Sequence, residues 1–195
     1  CGGDSDSGDG AGILCSIPWE YLDEELNLIN KQKLDRGLGM VFMPNKKEKI
    51  EECKSICEEE AEKLSVKETS WRKVPVNNEI LGPLAKANVP FICQWILYID
   101  VKDNKNIERL LFQLRKRIEK KIRETFKNDV GDCEFYFASL SSQTVVYKGM
   151  VRSEILSEFY QDLKKENFKV SFSVYHRRFS TCLLYTSDAA DDVYC

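Results

Sequence analysis

The residues best suited to chemistry lie near the end of the chain. There Val170-Ser-Phe-Ser-Val-Tyr-His176 alternates apolar and polar positions and runs into Arg177-Arg178-Phe179-Ser180-Thr181. Period-2 alternation predicts a half-buried strand that carries an Arg to one end, where a cation can meet an anionic ligand. The guanidinium of Arg178 is a planar fork suited to bidentate recognition of a carboxylate. It also suits a surface ion pair, and the pattern alone leans toward that plainer use. His176 is the single histidine of the chain, which excludes any two-His metal motif. By itself it fits a strand-end residue holding a local hydrogen bond better than a catalytic base. No Gly-x-Ser-x-Gly elbow points to a serine hydrolase.

Other constellations weaken on spacing. The opening Gly2-Gly-Asp-Ser-Asp-Ser-Gly-Asp-Gly-Ala-Gly12 misses the calcium-loop pattern, because its third Asp is one place late and Cys15 stands where the bidentate Glu belongs. It also misses the dinucleotide fingerprint, since it precedes a strand where that motif must follow one. A loop with glycines free to adopt positive φ is the better reading. Cys53 and Cys57 share a helix face but have no second Cys/His pair to complete four ligands, so no metal is expected. Arg115-Lys-Arg117, with Lys120, Lys121 and Arg123, alternates with Glu119 and Glu124 opposite an apolar stripe, as a solvated helix face does.

The elements that must position these residues follow from periodicity. Strands are expected at Ile13–Ile17, Leu38–Met43, Ser70–Val76 (at an edge or bend, because of Pro75) and Ile92–Val101. Glu134–Leu140 and Thr144–Gly149 are expected as a hairpin closed by Ser141-Ser142-Gln143, and Val170–His176 as the last strand. Helices are expected at Trp19–Lys31, Lys46–Val66 and Val151–Leu163. The clearest helix carries the stripe Ile107, Leu110, Leu111, Leu114, Ile118, Ile122 and Phe126. The mixture, with a local antiparallel pair, predicts an α+β fold with helices packed on antiparallel sheet.

A chain of 195 residues suits one domain able to bury roughly 70% of its unfolded surface. With 29 basic and 32 acidic residues interspersed and a net charge of −3, it lacks the footprint of a nucleic-acid binder. No run approaches a membrane span. Cys1, Cys15, Cys53, Cys57, Cys93 and Cys133 sit singly in apolar patterns and read as reduced core thiols. Cys182–Asp191 matches an in-frame reading of a sequencing-library transposon end. Residues 182–195 are therefore expected to be translated adapter and residues 1–181 a partial domain, one that begins without an initiator Met.

Six ordered stretches carry a resemblance: Gly8-Asp-Gly-Ala-Gly-Ile-Leu14 with Ile17-Pro18, Gly37-Leu-Gly-Met-Val-Phe-Met-Pro44, Trp71-Arg-Lys-Val-Pro-Val76, Ser139 to Met150, Phe159-Tyr-Gln-Asp-Leu163, and His176 to Thr181. Together they resemble the class II glutamine amidotransferase domain of glutamate synthase large subunits, from Gly3 to Thr181. The resemblance implies an N-terminal-nucleophile hydrolase fold, an αββα sandwich, incomplete here at both ends. It implies an N-terminal Cys that attacks the glutamine side-chain amide with its own α-amine as base, and an Asn-Gly oxyanion donor. It implies that Arg178 holds the substrate α-carboxylate, with Phe179 and Thr181 completing the rim. The ammonia released would serve glutamate synthesis from 2-oxoglutarate in another part of the polypeptide, with FMN and an iron–sulfur cluster there and no cofactor in residues 1–181. The implied partners are glutamine and the rest of the synthase polypeptide, in the cytoplasm or, in a eukaryote, the plastid.

By the same resemblance Cys1 stands a few dozen residues past the catalytic Cys, so no catalytic residue is assigned in this chain. No Asn-Gly dipeptide occurs either, and the chain as given is expected not to hydrolyse glutamine. A non-catalytic module of similar fold and an amidotransferase serving another acceptor stay open at this stage.

Overall fold

A computed structural model describes residues 10–27, 35–64, 66–99, 104–127 and 135–177. In chain order these form β1 (Ala11–Ser16), α1 (Trp19–Leu26), β2 (Asp35–Met43), α2 (Lys47–Glu62), β3 (Val66–Lys73), α3 (Pro83–Ala87), β4 (Phe91–Ile99), α4 (Asn104–Thr125), β5 (Tyr136–Ser141), β6 (Thr144–Gly149), α5 (Leu156–Phe159) and β7 (Ser173–His176), with short 3-10 turns between. The strands make two antiparallel sheets, a four-stranded one ordered β3-β4-β2-β5 and a three-stranded one ordered β6-β1-β7.

Strand β4 explains the layering. Ile92 to Ile99 is a continuous buried run, because both faces of its sheet are covered. On one face Val41, Met43, Cys93, Trp95, Leu97 and Ile99 pack against Ile50, Cys53, Cys57 and Ala61 of α2 and against the buried stripe of α4, Ile107, Leu111, Leu114, Ile118 and Ile122. On the other, Leu38, Met40, Ile92, Ile96 and Tyr98 meet Ala11 and Cys15 of β1 and Val145 and Tyr147 of β6. The α+β reading holds: helices pack on an antiparallel sheet, and that sheet packs on a second.

Several expectations are corrected. The predicted β5–β6 hairpin is not a ladder; the two strands belong to different sheets, and the short link between them turns the chain from one sheet to the other. The predicted helix Val151–Leu163 is broken into a 3-10 turn at Ser153–Ile155, the four residues of α5, and another turn at Gln161–Lys164. The break is Tyr160, which is extended (φ −91°, ψ 101°) and bridges to Val76. Helix α1 stops at Leu26, where Asn27 takes a left-handed conformation (φ 53°), and residues 28–31 of its predicted span lie outside the described residues. Helix α2 ends at Glu62, earlier than expected, so β3 can begin at Val66 and leave Pro75 outside the strand. Pro83 opens the short helix α3 where only a break was expected.

The helix face Arg115 to Arg123 is solvated and laced with ion pairs as expected. Arg115 bonds Glu119 and the Phe137 carbonyl, while Arg117 reaches Glu60 of α2. Cys15, Cys53, Cys57 and Cys93 are buried and in no disulfide; Cys1 and Cys133 lie outside the described residues.

Candidate functional site

Strand β7 carries the sequence-predicted site to its place. Among the described residues it pairs with β1 alone, Gly12 opposite His176, Ile13 opposite Tyr175 and Leu14 opposite Val174. It was expected to be half buried, yet all four of its residues are exposed: it is an edge of the smaller sheet as described. Val174 is 64% and Tyr175 71% exposed.

At the end of this pair the outer face is crowded. A Cβ built on Gly12 would stand 2.7 Å from His176 Cε1 and 2.9 Å from Lys148 Cβ, so only glycine lets the imidazole lie against β1. Gly10, just upstream, has φ 101°, the positive value expected of that loop. Beyond His176, Arg177 takes the surface role: its Nη2 lies 3.0 Å from Glu154 Oε1, and its Nε donates to Ser153 Oγ at 3.4 Å. Arg178, Phe179 and Thr181 lie outside the described residues, as do Cys1 and the Gly2–Asp9 part of the opening loop.

The polar centre of the described structure is one that sequence reasoning missed. Arg72 on β3 is 5% exposed and Asp162 is 0% exposed, and they meet as a two-point fork: Nη1 to Oδ2 and Nη2 to Oδ1, each 2.8 Å. Tyr21 of α1 donates to Asp162 Oδ1 at 2.8 Å, and Tyr147 of β6 donates to Oδ2 at 3.2 Å. Gln94 of β4 accepts from Arg72 Nη1 and donates to Tyr147 Oη, both at 2.9 Å. Both Asp162 oxygens thus accept two hydrogen bonds each, and Glu25 adds an ion-pair contact to Arg72 Nη2 at 3.6 Å.

The electrostatics match this closure. Burial opposes the charge on Arg72, but the bonds and attraction of Asp162 outweigh it and hold the guanidinium above its usual pKa. Burial, reinforced by the Asp162 charge, pushes the Tyr21 and Tyr147 phenols up. With all its oxygens occupied, the cluster can clamp α1, β3, β4, β6 and the Asp162 turn together, and it offers no free group for acid–base work. One signal was available in the sequence: Arg72 and Val74 share a strand face, so a buried Val74 implies a buried Arg.

A solvent-open cavity of about 440 Å³ lies elsewhere, lined among others by Asn45, Lys73, Asn78, Pro90 and Phe91, and contains none of the predicted site residues. Among the described residues, no group of three or more His, Cys, Asp or Glu side chains could hold a metal ion. No helix among them is long and apolar enough to cross a membrane.

Comparison with known proteins adds the family. The family model for class-II glutamine amidotransferases matches residues 1–191. The chain is 42% identical over 185 residues to a chloroplastic ferredoxin-dependent glutamate synthase of Oryza sativa subsp. japonica, covering 93% of this chain and 11% of that protein. It is 43% identical over 187 residues to ferredoxin-dependent glutamate synthase 2 of Synechocystis sp., with the same coverage of each. The corresponding enzyme of Cyanidium caldarium is 40% identical over 184 residues, 93% of this chain and 12% of that protein. The chain therefore spans only about a ninth of the length of these relatives.

Proposed function

The chain belongs to the class-II glutamine amidotransferases, and on that premise we propose that it forms part of the glutaminase domain of a glutamate synthase, releasing ammonia from glutamine. The observation that carries this reading is the identity of about 40% to ferredoxin-dependent glutamate synthases across 93% of the chain, with the family model extending over the His176-to-Thr181 motif. In this reading a cysteine thiolate adds to the glutamine side-chain amide carbon. Collapse of the tetrahedral intermediate breaks the C–N bond, ammonia leaves with the proton relayed by the α-amine, and water hydrolyses the glutamyl thioester. The nucleophile is a residue other than Cys1.

Arg178 grips the substrate α-carboxylate, with Phe179 and Thr181 at the rim. The path of β7 along Gly12 supports this assignment, because it brings the chain to Arg177 at the edge of the smaller sheet. That sheet turns Leu14, Val146 and Val174 outward in register, and a second helical layer over this apolar row would complete an αββα sandwich. Ammonia then passes to the rest of the polypeptide for glutamate synthesis from 2-oxoglutarate.

The FMN and iron–sulfur cluster of that chemistry belong to other parts of the polypeptide. We place the protein in a plastid or in the cytoplasm, the former in keeping with the chloroplastic rice relative.

The test is glutamine hydrolysis by the full-length polypeptide that carries this chain. Arg178→Ala is expected to raise KM for glutamine about 100-fold, as loss of a charged, two-point contact does, while Cys1→Ala leaves turnover intact. An unchanged KM in the Arg178 variant would overturn the pocket, and lost turnover in the Cys1 variant would overturn the placement of the nucleophile.

A further inference from the structure

All four residues of strand β7 are exposed, and among the described residues its sheet partner is β1. The chain that leads into it is tied down repeatedly. Asp162 is locked in the Arg72 cluster. Asn167 Nδ2 donates to Glu24 Oε2 of α1 at 2.7 Å. Phe168 lies edge-on to both tyrosines of the cluster, its ring 5.5 Å from Tyr21 and 5.9 Å from Tyr147. The Ser171 amide donates to Ser16 Oγ at 2.8 Å, and the Phe172 carbonyl accepts from the Ser16 amide at 3.2 Å.

Phe168 is the joint in this arrangement. The two phenols that orient Asp162 are the same two rings that grip Phe168, so one rigid cluster fixes both ends of residues 162–168. An aromatic contact of this geometry stabilises beyond its buried area, so it helps to hold the segment that feeds β7.

We propose that the Arg72–Asp162–Tyr21–Tyr147 cluster is a positioning device for β7, acting through Phe168. Resting on the function proposed above, it sets the placement of the strand that Arg178 follows, and hence affinity for the glutamine α-carboxylate. The cluster residues bond one another, and their part in binding is to position the strand.

The test uses the full-length polypeptide with Phe168→Ala, and Phe168→Leu to restore bulk. Amide hydrogen exchange is expected to accelerate about tenfold at residues 173–176 and to stay unchanged at residues 144–149, with the Leu variant in between. KM for glutamine is expected to rise about tenfold with kcat within a factor of two. Equal exchange at 173–176 in wild type and Phe168→Ala overturns the positioning role. Faster exchange with an unchanged KM overturns the link from β7 to substrate. A wild-type polypeptide that hydrolyses no glutamine defeats the functional reading instead, and the exchange result then decides the positioning role by itself.

Discussion

His176 lies directly over Gly12, close enough that a methyl group at Gly12 would sit 2.7 Å from the imidazole Cε1. Gly12→Ala must therefore displace the ring, the Lys148 stem or the strand pair. A cost of about 1–3 kcal/mol is expected, as for other overpacked sites. Thermal unfolding of Gly12→Ala, His176→Ala and the double variant measures it. The double variant should recover part of the loss, the remainder belonging to Lys148 Cβ and the Tyr147 carbonyl. Strict additivity would mean that His176 does not occupy that space.

The Arg72–Asp162 pair gives an asymmetric expectation. Asp162→Ala strands a buried guanidinium and should cost about 3–5 kcal/mol in urea unfolding. Replacing both partners by apolar residues, Arg72→Met with Asp162→Leu, should recover most of that loss, since neither charge then needs compensation. A double variant as unstable as the single one would show that Gln94, Tyr21 and Tyr147 cannot tolerate losing the pair.

Alkaline stability follows from three phenols. Tyr21, Tyr147 and Tyr160 have raised pKa values in the fold, burial being the main cause. Below about pH 10 both folded and unfolded chains keep these groups neutral, and the phenols leave stability unaffected. Above it the unfolded chain ionises first, so unfolding gains free energy as pH rises toward the folded-state values. Urea midpoints should begin to fall near pH 9, where the unfolded chain's thiols ionise while burial keeps Cys15, Cys57 and Cys93 protonated, and fall more steeply above pH 10; Tyr160→Phe, which removes one titrating phenol, should shallow only that second slope.

Burial also silences the thiols. Cys15 is pushed up to about 11 and Cys93 to about 12, which leaves on the order of one Cys15 in a thousand ionised at pH 8. Peptide mapping after brief alkylation at that pH should find Cys15, Cys53, Cys57 and Cys93 unmodified in the folded chain and fully modified in urea. Rapid native labelling of Cys15 would contradict its place between the sheets.

Local pattern carried much of this architecture. The α4 stripe was legible because a 3.6-residue period over five turns has one interpretation, and β4 because a nine-residue run, apolar but for Gln94, fits a strand covered on both faces. The β5–β6 link was misread because a short turn looks the same whether its strands share a sheet or divide between two. The Val151–Leu163 segment has helical periodicity, but Tyr160 is claimed by Val76, a partner 84 residues earlier. The buried cluster stayed hidden for the same reason. Arg72 and Asp162 are 90 residues apart, and each alone resembles an ordinary surface charge. The exposure of β7 escaped notice because alternation reports what a strand could cover, not whether anything covers it.

The topology of the smaller sheet has a consequence for biosynthesis. Among the described residues, the ladder partners of β1 come far behind it in the chain: Thr144, opposite Ser16, is translated about 130 residues later, and Ser173 later still. At roughly 5–20 residues per second, the apolar Ile13-Leu-Cys segment waits on the order of ten seconds on the ribosome for these two partners. Nascent chains stalled between these two points are where chaperone engagement should concentrate.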